Sequence, residues 1–244
     1  MQNLKILNSL AIIAWGGLLT AAVPAFASLT NEGNGTVYDP QTGLTWTQDA
    51  NLFYTQANNA ADPANFVQQI INANGGVVHD TPNTNDPTGT YTLTSADFDT
   101  TTGDVTWWGA QAWVGYLNSI TYAGINNWEL PVNAGVTESG SPIGVLYYNE
   151  LNQTTGPFTN TQFTYGDYWL GNEVAASGYA NALDFDTYTL PGRPDDDSQG
   201  MPKNSNYLLA WTVAPTPAPL PGAGGMLAAG LAGIGVVGRR RLKA

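Results

Sequence analysis

The chain has 244 residues, no cysteine, one histidine, and 19 acidic against 7 basic residues, for a net charge of −12. Without cysteine there is no disulfide or thiol chemistry, and one histidine cannot furnish the three or four His or Cys ligands of a zinc site. All nineteen acids lie between the two ends of the chain, where only Arg193 and Lys203 oppose them, a net of −17 that repels phosphate backbones and excludes nucleic acid as an expected partner.

The first expected element is a leader. Lys5, the apolar run from Leu10 to Leu19, and Ala25-Phe26-Ala27 before Ser28 give an n-region, an h-region and a small-x-small site. Residues 1–27 are therefore expected to be a secretory signal peptide read at Ala25 and Ala27, and the mature chain to be exported. After a short lead over 28–35, the segment Gly35 to Trp46 predicts two strands around the turn Asp39-Pro-Gln-Thr-Gly43, with Val37, Leu44 and Trp46 inward. Asp62 as a cap, Pro63 at the first helical position and the spacing of Phe66, Val67, Ile70 and Ile71 predict a helix that Gly75-Gly76 ends. From Gly76 to Asp104 the chain is rich in Thr, Asn, Asp and Gly, which predicts an irregular insertion with one strand near Thr90 to Leu93.

The stretch from Thr106 to Pro131 then carries Trp107, Trp108, Trp113 and Trp128 with a single charge, Glu129. Ala110, Trp113, Val114 and Leu117 fall at offsets 0, 3, 4 and 7, the stripe of an amphipathic helix capped by Asp104 or Thr106. Trp108 lies off that stripe and is the tryptophan open to exposure. Residues 145–151, 168–170, 181–185 and 207–213 supply later strand or helix candidates. The expected fold is α+β, one domain over 36–213 with two helices and a small, loop-rich, mainly antiparallel sheet.

A second sorting signal closes the chain. Behind the Pro-rich spacer 214–221 comes an uncharged, Gly-rich run from Gly222 to Gly238 and then Arg239-Arg240-Arg241. As a helix that run reaches only about 25 Å, against a hydrocarbon core of about 30 Å, and the basic residues behind it fix a cytoplasmic end. Through Pro219-Leu220-Pro221 and the Arg cluster, the tail over 222–244 resembles the PEP-CTERM family of exosortase substrates, in its Leu-Pro variant. That resemblance implies an exosortase-type processing enzyme as partner and a membrane-anchored precursor. Leu220-Pro-Gly-Ala-Gly224 also looks like a degenerate sortase motif, and an uncleaved anchor stays open as well.

The blocks Val37 to Asn51, Val105 to Trp113, Asn127 to Pro131, Leu146 to Leu151, Tyr168 to Glu173 and Ala210 to Val213 follow one another as in the DUF1566, or Lcl C-terminal, family, which the chain resembles over nearly all of 36–213. The resemblance implies a C-type-lectin-like fold on an exported protein, with glycan adhesion in some members of the family and no general enzymatic activity. There are two departures: Glu129 stands where the family commonly has Arg, and the segment from Phe53 to Ser95 is longer.

Site by site, the chemistry is sparse. His79 and Asp80 are loop neighbours, which cannot orient one another as a base and its partner must. Nineteen carboxylates form pairs by chance, so they do not argue for hydrolysis. Asp97, Asp99 and Asp104 surround a Gly-containing turn in the alternating pattern that calcium favours, against the plainer reading of a solvated turn. No other cofactor is expected. The function that emerges is a non-enzymatic binding protein, surface-tethered or matrix-associated in the cell envelope, with a glycan or surface polymer as ligand and Trp108, Tyr122 and Trp169 as stacking candidates. A purely structural matrix component and a divergent hydrolase remain the alternatives.

Overall fold

The computed structural model describes residues 28–83, 87–133, 140–163, 166–174, 178–185 and 198–215. The leader with Ala25 and Ala27, the tail with Pro219, Leu220, Pro221, Arg239, Arg240 and Arg241, and the acidic run Asp195-Asp196-Asp197 lie outside the described residues.

The first layer is the predicted hairpin, extended on both sides. Strands β1 (Thr30–Asn31), β2 (Thr36–Asp39), β3 (Leu44–Thr47) and β10 (Val213–Pro215) form an antiparallel sheet in the order β1-β2-β3-β10. Its turn is held by the Asp39 carboxylate, which accepts from the backbone N–H groups of Gln41 (2.8 Å) and Thr42 (3.1 Å). Val37 and Trp46 are buried as expected, and Leu44 packs in partly.

Helices make the second layer. α1 (Leu52–Asn59) and α2 (Pro63–Ala73) precede α3 (Trp107–Ser119). α2 forms where its local signals place it: Asp62 accepts from the N–H groups of Ala64 and Asn65, Pro63 follows, and Phe66, Val67, Ile70 and Ile71 are buried. α3 is capped by Thr106, whose Oγ1 accepts from Gly109 N–H at 3.1 Å. α1 corrects the expectation of two helices. Leu52, Phe53 and Ala57 give it only a short stripe, which docks by stacking Phe53 on Phe66 and setting it edge-on to Trp113. A short turn, α4 (Pro142–Gly144), runs on into a π-helical turn over Val145–Glu150, which makes the 145–151 segment helical.

The insertion between α2 and α3 folds into a hairpin of β4 (Val77–His79) and β5 (Thr90–Thr92). The third sheet has the order β8-β7-β6-β9, built from β6 (Asp167–Val174), β7 (Tyr179–Asp184), β8 (Ser198–Pro202) and β9 (Leu208–Leu209). Among the described residues three sheets thus stand where a single one was expected, and in the third β6 and β9 pair in parallel while its other strands pair antiparallel.

The period of two along the third sheet sorts its side chains between two cores. Trp169, Ala180, Ala182 and Leu208 join the helical core of α1, α2 and α3, while Tyr168, Leu170, Leu183 and Leu209 join a second core with Trp46, Tyr147, Phe163 and Trp211. Both faces are therefore buried at the start of β6, where Tyr168, Trp169 and Leu170 form a continuous apolar run. No helix among the described residues is long and apolar enough to cross a membrane.

Candidate functional site

Where the two cores meet the surface, the parallel start of β6 and β9 opens a cleft of about 420 Å³ lined by Thr102, Asp104, Gln162, Gly166, Asp167, Tyr207 and Leu209. Each wall has a local cause. The turn before α3 closes by Asp99 N–H donating to Asp104 C=O (2.8 Å) and Gly103 N–H to Asp99 C=O (2.9 Å), and Gly103 supplies the positive φ it needs. The Gln162 side of the wall is fixed when its backbone N–H donates to the Tyr168 hydroxyl at 2.9 Å. Register places Asp167 beside Leu208, so Tyr207 stands at the rim, 55% exposed.

The two acids of the turn differ electrostatically. Burial, reinforced by the charge of Asp99, holds the Asp104 carboxyl above the ordinary range against a hydrogen bond from Thr102. Hydrogen bonds from the Thr101 side chain and backbone hold Asp99 below it. The cleft thus presents an aromatic side chain, hydroxyl and amide groups and two carboxyl side chains.

Several expected site residues lie elsewhere. Trp108 is buried, 6% exposed, which corrects the expectation that it leaves the core: Tyr91 of β5 stacks on it at 3.8 Å between centroids, 2° from parallel, and its Nε1–H donates to Asp80 at 3.0 Å. Trp169 is also buried, with Nε1–H donating to Val105 C=O at 2.8 Å. Tyr122 is half-buried against Trp128, 5.9 Å between centroids. None of the three lines the cleft; Tyr207 does.

Asp97 does not join Asp99 and Asp104 as a ligand set. Its carboxylate is buried and accepts from Tyr91 OH (2.9 Å), Thr106 Oγ1 (2.8 Å) and Thr94 N–H (2.7 Å), so it anchors the entry to α3. Among the described residues no group of three or more His, Cys, Asp or Glu is arranged to hold a metal ion. His79 is exposed and meets Thr90 Oγ1 at 3.2 Å.

Two features escaped sequence reasoning. The first is the Tyr207, Gln162 and Asp167 part of the cleft, which non-local pairing assembles. The second is the buried pair of Asp80 and Lys203 with the half-buried Glu173 beside it, for which the signal was that Lys203 is the only lysine between residues 6 and 242. Compared with known proteins, the chain matches no family model, no curated protein and no solved structure.

Proposed function

We propose that this chain is an exported, surface-tethered or matrix-associated binding protein, whose domain over 36–213 adopts a C-type-lectin-like arrangement and takes an extracellular glycan or surface polymer in the cleft at Asp104, Gln162, Asp167 and Tyr207. The observation that carries the reading is Tyr207, a large aromatic side chain left exposed beside carboxyl and amide groups in a domain that buries its tryptophans. A sugar's C–H face packs on such a ring while its hydroxyls meet the polar wall. The ordered resemblance to the Lcl C-terminal family and the two terminal sorting signals support the same reading. In it, an exosortase-type enzyme removes the tail of a membrane-anchored precursor.

The test is a glycan-array screen followed by binding isotherms. Tyr207→Ala is expected to weaken binding about tenfold, equivalent to about 1.4 kcal/mol, without moving the melting temperature. Unchanged affinity in the folded variant would remove the cleft from consideration. Asp104 and Asp167 both line the cleft, so the bound glycan is also followed for cleavage; turnover lost in Asp104→Asn would establish the hydrolase reading instead.

A further inference from the structure

In an exported chain with nineteen acids, the one lysine of the described domain is not on the surface. Lys203 is 1% exposed, and its Nζ lies 2.5 Å from Asp80 Oδ2 and 2.8 Å from Glu173 Oε2. The Asp80 side chain is fully buried, and that of Glu173 is 22% exposed. Aromatic walls close the site: Nζ lies 4.7 Å from the ring centroid of Trp107 and 6.0 Å from that of Trp108.

Three separate elements are pinned to make this meeting. Asp80 follows β4, its N–H donating to Gly89 C=O at 3.1 Å. Glu173 sits in β6 beyond a bulge, and Thr81 N–H donates to both of its carboxylate oxygens, at 3.2 and 3.1 Å. Lys203 follows β8, its N–H donating to Gly178 C=O and its C=O accepting from Trp107 N–H at 2.9 Å. The two oxygens of Asp80 are not equivalent. Oδ2 accepts from Trp108 Nε1–H at 3.0 Å as well as from the lysine, while the buried Oδ1 has no partner.

We propose that Lys203 and Asp80 condense to an intramolecular amide, with Glu173 as the proton carrier. A buried ion pair is costly to desolvate, and its conversion to a neutral amide removes that cost. Transfer of a proton within the trio gives the Lys203 amine and the Asp80 carboxylic acid. The amine nitrogen attacks Cγ of Asp80, and Trp108 Nε1–H holds the oxygen that becomes the amide carbonyl. Glu173 carries both protons that leave the nitrogen, the first before the attack and the second after it, to Oδ1, which departs as water while Oδ2 stays as the carbonyl. One C–N bond forms, one C–O bond breaks, one water is released, and nothing is oxidised or reduced. The product removes the orphaned oxygen and both buried charges of the pair, and its N–H donates to Glu173. In a chain without cysteine, the amide ties together residues 123 positions apart, the service a disulfide gives other exported domains.

The test uses the full chain purified in folded form, with its termini mapped. Its intact mass is expected to be lower than that of the mapped sequence by one water molecule, and digestion to yield a branched peptide joining the segments around Asp80 and Lys203. After denaturation, trypsin is expected to leave the Lys203–Asn204 bond intact, because an acylated lysine is not recognised; Lys203→Met supplies the mass reference and Glu173→Gln is expected to keep the full sequence mass. A folded wild-type chain at full mass, cut at Lys203 once denatured, would overturn the proposal and leave the trio a salt bridge. Full condensation in Glu173→Gln would overturn the role given to Glu173.

Discussion

At the scale of single residues, the tryptophans divide by what covers them rather than by their place on the α3 stripe. Trp113 is fully buried between Phe53 and Phe66, with ring centroids 5.8 and 6.2 Å away. Trp113→Ala is expected to cost about 3–5 kcal/mol, a large share of an ordinary domain's stability. Trp108 belongs in the same class, because truncation would strip Tyr91 of its stacking partner and Asp80 of a donor. Trp108→Ala is therefore expected to fall in the same range of about 3–5 kcal/mol. Denaturant melts of both variants check this, and a Trp108→Ala midpoint at the wild-type value would show that the ring contributes no packing. The burial of Trp108 could not be read from the sequence. Its covers, Tyr91 and Asp80, sit in a segment whose Thr, Asn, Asp and Gly content carries no periodicity.

At the scale of elements, what was legible was what is local. α2 announces itself because cap, Pro63 and stripe lie within ten residues, and the β2–β3 hairpin because Asp39 closes its own turn. α3 was legible as a helix but not as one buried on nearly all sides, since two different neighbours complete its cover: the β4–β5 hairpin and the β6 side chain Trp169. The cleft was half legible for the same reason. Asp104 could be named from its turn, whereas Tyr207 and Asp167 meet only through parallel pairing of distant strands. The tight entry to α3 yields a prediction of its own. Ala ordinarily improves a helix over Gly by about 1 kcal/mol, but at Gly109 a Cβ would overlap the Asp97 carbonyl oxygen and crowd the Val105 side chain. Gly109→Ala is therefore expected to destabilise by about 1–3 kcal/mol. A thermal melt shifted upward instead would mean that the Asp97 segment yields freely.

At the scale of the whole molecule, the acidic balance and one sealed carboxyl group set the response to pH. The Glu150 oxygens, in the π-helical turn, are buried without a hydrogen bond of good geometry, and their polar neighbour is the Asp39 carboxylate, already engaged by Gln41 and Thr42. Burial first, and Asp39 second, push the Glu150 carboxyl from an ordinary 4.5 up to about 8. The folded chain thus holds a proton there that the unfolded chain has released, so stability is fully present below about pH 4.5 and declines as pH rises through 8, levelling above it. The raised Asp104 carboxyl acts in the same direction, and so, up to about pH 5 where ordinary carboxyl groups finish ionising, does the repulsion among acids faced by few bases. Glu150→Gln separates the local cause from the general one, because it keeps a neutral side chain of the same shape at every pH. Melting temperatures measured from pH 5 to 9 are expected to fall steadily in the wild type and to fall much less in Glu150→Gln, which is the more stable protein at pH 9. Added salt is expected to reduce the residual slope in both, since it screens exposed charges but not the sealed carboxyl. Parallel pH profiles for the two proteins would return the effect to surface charge alone and leave Glu150 an ordinary side chain.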